Sequence, residues 1–329
     1  MHLAIRVNIF FLEHLYTETM LYGGSTMVDQ TESISRWQQH TAAIACGFLG
    51  DWLEQRRNPL ALPMQFIADG RVIDPLEPAV SRPGRTLIVL IHGLMEMDSI
   101  WEYPQAPGAH YGTDLSGPLE ATPLCLRFNS GRAIHENGAE LSRQLELLVE
   151  NWPREVERLV LLGHSMGGLM IRSACHHGRH QGHQWTLRSL DCAYLGSPHD
   201  GSWLAKGAQG MAGMMQRMPR DYLRVVGEFI DLRSEGIRNL SRGEVTPPDI
   251  EEPPLLPGAD HYVVSGLLSR RQEHPVNALF GDALVHEASA RGERRSGWSL
   301  TDTAAFPGVD HFRLAHHRLV GNQLLEWLA

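Results

Sequence analysis

The chain has 329 residues, 43% of them apolar and 20% charged, with a formal charge of −9. That length accommodates one large α/β domain or two smaller ones around a sizeable core. The acidic balance argues against nucleic acid as a partner, because phosphate binding needs a basic face. No run approaches the roughly 18–20 apolar residues of a membrane span, so stable membrane insertion is not expected and the cytoplasm is the default location.

The N-terminal "MHLAIRVNIFFLEHLYTETM" resembles a signal sequence only superficially. Arg6 and Glu13 interrupt its apolar stretch, and no small-residue cleavage site follows. Met27 precedes "VDQTESISRW", which reads as an ordinary start, so residues 1–26 are expected to be a poorly ordered extension. Residues 27–83 then form a lead-in. Trp37, Ile44, Phe48 and Trp52 recur at helical spacing across 32–57. A proline-rich stretch follows, in which "MQFIADGRVI" predicts a hairpin turning at Asp69–Gly70.

From residue 84 strand and helix patterns alternate. "TLIVLIHG" (86–93), "TPLCLRF" (122–128), "RLVLLG" (158–163), "LDCAYLGSP" (190–198) and "HYVVSGLL" (261–268) are strands, and "GWSLTDTAAF" holds a last one. Asn137, with Glu140 three residues on, predicts a capped helix start. That helix carries an apolar stripe of Leu141, Leu145, Leu148 and Trp152, and Pro153 ends it. "GLMIRSACHHG" predicts a helix stopped by Gly178, and the last sixteen residues a closing amphipathic helix that includes His316 and His317. Continuous apolar strands separated by helices predict an α/β fold with a mostly parallel sheet covered on both faces. Its core spans 84–200 and 259–329. Residues 201–258, with a methionine cluster and "EVTPPDIEEPPLLPG", break the alternation and read as an inserted cap or lid.

"GHSMG" (163–167) fits G-x-S-x-G between a strand and a helix, the context that gives the motif meaning. Turning straight from strand to helix strains the backbone at Ser165 and crowds its neighbours; Gly163, Gly167 and Gly168 relieve that crowding. The helix N-terminus behind the serine favours developing negative charge. An oxyanion hole needs two converging backbone N–H groups. Met166 is one candidate, and Leu94, in the "HGL" loop after the first long strand, is the other. His92 is read as a structural histidine beneath that loop.

The "HGL" loop, "GHSMGG", "LGSPHDGS" and "GDALVHEASA…DHFRLAHH" together resemble the α/β-hydrolase-fold lipases and esterases. The likeness is closer to the bacterial branch related to GPI inositol-deacylases, whose block "LRFNSGRAIHENG" is similar too, and it covers roughly residues 84–329. The resemblance implies a Ser-acid-His order along the chain. Among 18 histidines, His311 sits in the loop after the last strand and is the expected base. Asp282 matches the placement of the family's acid. Asp200, after the fourth strand, is the reserve, and Glu287 a weaker third option. Asp260 lies at the wrong edge of the sheet, and Asp310 is assigned to hydrogen bonding within its loop.

Two other clusters have simpler readings. "CHHGRHQGH" (175–183) has no complete ligand set and reads as a solvated loop, so no metal is expected. "GMAGMMQRM" (210–218) suits either a packed helix or a flexible surface for acyl chains. Cys46, Cys125, Cys175 and Cys192 lack metal-type spacing and read as buried reduced thiols, with a disulfide pairing left open. The expected activity is hydrolysis of small to medium acyl or aryl esters through an acyl-enzyme, with no cofactor. An acyltransferase or amidase using the same residues is the alternative, and a non-catalytic binding protein on this fold is the remote one. Oligomeric state stays open.

Overall fold

A computed structural model describes residues 42–201, 234–267 and 298–329, excepting 44, 45, 48, 49, 52, 57, 59 and 60. The N-terminal extension, Trp37, Ile44, Phe48, Trp52 and the methionine cluster lie outside the described residues. Among the latter, Ala42, Ala43, Cys46, Gly47, Gly50 and Asp51 are helical, as the lead-in pattern predicts.

Asp69 and Gly70 both take positive φ, 49° and 74°. Two such residues in succession form the hairpin turn whose twist matches that of flanking strands. Strands β1 (Gln65–Ala68) and β2 (Arg71–Ile73) accordingly pair antiparallel across it. Six further strands follow: β3 (Thr86–Ile91), β4 (Ala121–Arg127), β5 (Arg158–His164), β6 (Ser189–Leu195), β7 (Asp260–Leu267) and β8 (Asp302–Pro307). Among the described residues the sheet has the order β2-β1-β4-β3-β5-β6-β7-β8, and β3 to β8 are parallel.

Alternation along the strands divides the core between two faces. Leu87, Val89, Ile91, Leu159 and Leu161 face α2 (Ile134–Asn151) and α3 (Met166–Gln181), packing with Leu141, Leu145, Leu148, Met170 and Ala174. Ile88, Leu90, Val160 and Leu162 face the other way, joining Tyr111 and Leu115 of α1 (Tyr111–Ser116) and Val320, Leu324 and Leu328 of α5 (Arg318–Leu328). Each such side chain contributes about 1.5–3 kcal/mol on burial, which is why these strands read as unbroken apolar runs. Among the described residues no helix is long and apolar enough to cross a membrane. All four cysteines are free thiols.

Three helix limits differ from the sequence reading. Helix α2 starts at Ile134, so Asn137 lies inside it, with its Nδ2–H donating to the Asn129 carbonyl at 2.9 Å. The cap is supplied from far along the chain: Asn239 Oδ1, on α4 (Glu235–Arg242), accepts the Ile134 N–H at 3.1 Å. Helix α3 continues past Gly178 to Gln181 and ends at Gly182, φ 70°. Gly178 stays helical because its missing side chain leaves room for Trp185 and Ser142. The closing helix begins only at Arg318. His316 and His317 precede it because the Tyr111 hydroxyl holds that corner, donating to the Leu314 carbonyl at 2.8 Å and accepting the His317 N–H at 2.7 Å.

Register sets the site. Ile91 pairs with Gly163, His164 with Leu195, and Leu195 with Val264, so the carboxyl ends of β3, β5, β6 and β7 lie side by side. That edge is where open α/β sheets bind ligands.

Removing the distant cap should be measurable. Asn239→Ala is expected to lower unfolding stability by about 1 kcal/mol or more, because it removes both the acceptor for Ile134 and the donor to Glu244 Oε2 at 3.2 Å; urea titration followed by circular dichroism reads the loss.

Candidate active site

A single residue, Ser165, joins β5 to α3. Its backbone sits at φ 52°, ψ −119°, a conformation that costs a non-glycine residue about 1–3 kcal/mol. Packing holds it there. The Ser165 N–H donates to the Leu195 carbonyl at 2.9 Å, and its own carbonyl accepts the Gly168 N–H at 3.2 Å. The three glycines clear the space this turn requires. A Cβ on Gly163 would lie 2.5 Å from Gly168 N, one on Gly167 2.1 Å from the Ile91 carbonyl oxygen, and one on Gly168 1.9 Å from Ser197 Oγ. The first two obstacles are backbone and cannot swing aside.

The loop after β3 closes over the serine. Gly93 permits the approach, since a Cβ there would be 2.9 Å from the Ser165 Cβ. Its N–H donates to Glu96 Oε2 at 2.6 Å and is therefore occupied. Leu94, the next amide, and Met166, at the start of α3, have no hydrogen-bond acceptor among the described residues. Their side chains are turned into an apolar cluster with Ile134, Leu169, Leu240 and Val245. Met95 then takes φ 60°, anchored by its N–H to Ser130 Oγ at 3.0 Å. Ser130 belongs to the "LRFNSGRAIHENG" block, so that block supports the loop. His92 is buried, stacks on Phe128 at 4.3 Å, and has Nδ1 2.8 Å from the Gly93 carbonyl oxygen. Burial lowers its pKa and favours the neutral ring.

His311 follows β8 and is 2% exposed. Its carbonyl oxygen lies 2.9 Å from His164 Nε2, and the two rings are 4.9 Å apart between centroids. The fold thus brings the loop after β8 to the residue adjoining Ser165. His164 Nδ1 is 2.8 Å from Glu96 Oε2. Burial alone would push the Glu96 carboxyl up; the charge and hydrogen bond of His164, with the Gly93 N–H, more than offset it and hold it below the ordinary range. Glu96 is the residue that sequence reasoning missed, because nothing in "HGLMEMD" marks one acidic side chain as turned inward.

The other sequence candidates fall in different places. Asp282 and Glu287 lie outside the described residues. Asp200 is on the loop after β6 and is partly exposed. Asp260 opens β7 at the opposite edge and accepts the Thr301 hydroxyl at 3.0 Å. Asp310 accepts the Arg313 N–H at 3.3 Å within its loop. Of the four histidines in 175–183, only His183 lies off the helix; the other three are not on a loop as read from sequence. His176, His177 and His180 ride the last turns of α3, extended beyond Gly178, with the His176 and His180 rings 4.6 Å apart. Among the described residues no group of three His, Cys, Asp or Glu side chains is arranged to hold a metal ion.

No protein-family model and no curated protein matches the chain. Solved structures do. The mature form of Bacillus licheniformis lipase BlEst2 has a TM-score of 0.50 at 18% identity, over 82% of this chain and 98% of that one. The Pyrococcus furiosus esterase Pf2001 has a TM-score of 0.46 at 14% identity, over 74% of this chain and 80% of that one. The BlEst2 likeness and the sheet described above establish the α/β-hydrolase fold for this chain.

The clearance at the turn leads to a direct expectation. Gly163→Ala forces a methyl group against the Gly168 amide and should destabilise the protein by about 1–3 kcal/mol or more, read as a fall in the urea midpoint or loss of soluble protein.

Proposed function

We propose that this protein is a serine carboxylic-ester hydrolase acting through an acyl-enzyme. The observation that carries the reading is Ser165 at positive φ in a one-residue strand-to-helix turn, with the His311 loop at its side. Strain of this kind persists where the surrounding structure enforces it, and it clusters at functional sites.

Ser165 Oγ attacks the ester carbonyl carbon while its proton passes to His311, the general base. The carbonyl oxygen takes up the negative charge, and the Leu94 and Met166 amides donate to it. The amide of α3's first residue also carries the positive end of that helix. The tetrahedral intermediate collapses, the C–O bond to the alcohol breaks, and His311 returns the proton to the departing oxygen. Water then attacks the acyl-enzyme, again losing a proton to His311. The carboxylic acid leaves and Ser165 regains its hydrogen.

Asp282 is the proposed acid, orienting the His311 ring and stabilising its protonated form. Asp200 is the reserve. The proposed substrates are small to medium acyl or aryl esters, consistent with a nucleophile that is only 8% exposed and flanked by the Leu94–Met166–Leu240–Val245 cluster. The proposed kinship to the branch related to GPI inositol-deacylases concerns these core motifs and assigns no lipid-anchor substrate.

With p-nitrophenyl esters of increasing acyl length, wild type should show hydrolysis above buffer, and Ser165→Ala should lose it. A fluorophosphonate probe should label the wild type on the peptide containing Ser165. Equal hydrolysis by both proteins eliminates Ser165 as nucleophile; no hydrolysis and no labelling eliminates the esterase reading. Asp282→Asn should lower kcat by about 10⁴-fold, the scale seen when a triad acid is neutralised. A near-wild-type rate would transfer the role to Asp200 or Glu287.

A further inference from the structure

We propose that Glu96 and His164 form a buried ion pair that positions the nucleophile, the oxyanion loop and the base relative to one another. The inference rests on the esterase reading of Ser165 and His311. His164 Nε2 faces the His311 carbonyl oxygen at 2.9 Å, and a carbonyl oxygen can only accept. His164 Nδ1 faces Glu96 Oε2 at 2.8 Å, and that same oxygen already receives the Gly93 N–H at 2.6 Å. A neutral imidazole has one N–H and could make both contacts only by accepting a proton from a neutral Glu96 carboxyl; the Gly93 N–H aimed at the same oxygen at 2.6 Å disfavours that form, and the carboxyl is held below its ordinary range. Both contacts are made when the ring is an imidazolium and Glu96 a carboxylate.

The pair is enclosed, with the His164 and Glu96 side chains 0% and 8% exposed. Around it stand Trp101, its ring centroid 6.3 Å from that of His164 in an edge-on arrangement, and the titratable groups His92, His311 and His316, with Asp310 beside His316. Burial favours the neutral form of both His92 and His316.

The contacts form one chain, from the Gly93 N–H to Glu96, to His164, to the His311 carbonyl. Its first member adjoins the Leu94 amide, its third adjoins Ser165, and its last is the backbone of the base itself. Glu96 Oε2 and both His164 nitrogens face protein groups, so neither residue is assigned a contact with substrate. They are positioning residues: a doubly protonated ring of fixed span sets the separation between three groups that belong to different strands' ends.

Glu96→Gln tests this with the smallest change of shape. The amide oxygen can still accept from Gly93, but without the carboxylate charge the His164 ring becomes neutral and gives up one of its two contacts. The expected result is a fall in kcat for p-nitrophenyl esters on the order of 10²-fold, little change in KM, and an unchanged circular dichroism spectrum. Glu96→Asp, which keeps the charge on a shorter arm, should recover part of the rate. His164→Gln should resemble Glu96→Gln, and the double variant should be no worse than the weaker single one, because the pair acts as a unit.

A readout independent of activity is the nitrogen-15 spectrum of the His164 ring at about pH 8, above the ordinary histidine pKa of about 6.5. Both nitrogens should be protonated in wild type and only one in Glu96→Gln. A neutral His164 in the wild type overturns the proposal, as does wild-type kcat in Glu96→Gln or a double variant whose losses multiply. Should Glu96→Gln fail to fold, the wild-type spectrum alone decides. If the esterase reading fails instead, wild type will neither hydrolyse esters nor label at Ser165, whatever the His164 spectrum shows.

Discussion

A strand that becomes a helix within one residue is the constraint on which the site depends. At Ser165 the chain must reverse its backbone sense without the length of an ordinary loop, and positive φ is the consequence. The strain is held because β5 lies in the middle of the parallel sheet, flanked by β3 and β6 over its length. A flexible setting would let the serine relax to a common conformation. Here its N–H is tied to β6 through Leu195, and its Cβ is covered by Gly93 from the loop after β3. Ser165, the loop after β3 and the clearance glycines are thus parts of one packing solution.

Electrostatics adds a second constraint. In the proposed Glu96–His164 ion pair, two unit charges at the observed 2.8 Å would attract by roughly 6 kcal/mol at an effective dielectric of about 20, yet removing each from water costs several kcal/mol. The terms are of similar size, so the Glu96–His164 pair is a poor candidate for a major source of stability. Its distinguishing property is geometric: acceptors from two separate loops meet the two nitrogens of one rigid ring. The same logic explains why His164, although next to Ser165 in sequence, is unsuited to be the base in the proposed mechanism. Both of its nitrogens are committed elsewhere.

Much of this was legible from residue patterns because it is local. Unbroken apolar runs marked the strands of a doubly covered sheet, and Asp69–Gly70 marked a tight hairpin. Glycine, serine and glycine between a strand and a helix marked the elbow. Where the reading failed, the deciding contact was distant. Asn137 looked like a cap, but Asn239, 105 residues away, caps that helix. Gly178 looked like a stop, yet helix α3 passes it because Trp185 and Ser142 fill the space beside it. His316 and His317 looked helical, but Tyr111, more than 200 residues earlier, holds them ahead of the helix.

The sequence by itself determined the sheet, the strand-to-helix turn and the serine that occupies it, because each depends on side-chain periodicity or backbone freedom within a few residues. Only the tertiary structure decided where helices begin, which amide of the β3 loop is left without an acceptor, and that Glu96 turns inward to meet His164. Those outcomes follow from desolvation. A buried donor, acceptor or charge must find its partner wherever the fold places one, and the partner of His164 stands 68 residues before it on one side and 147 after it on the other.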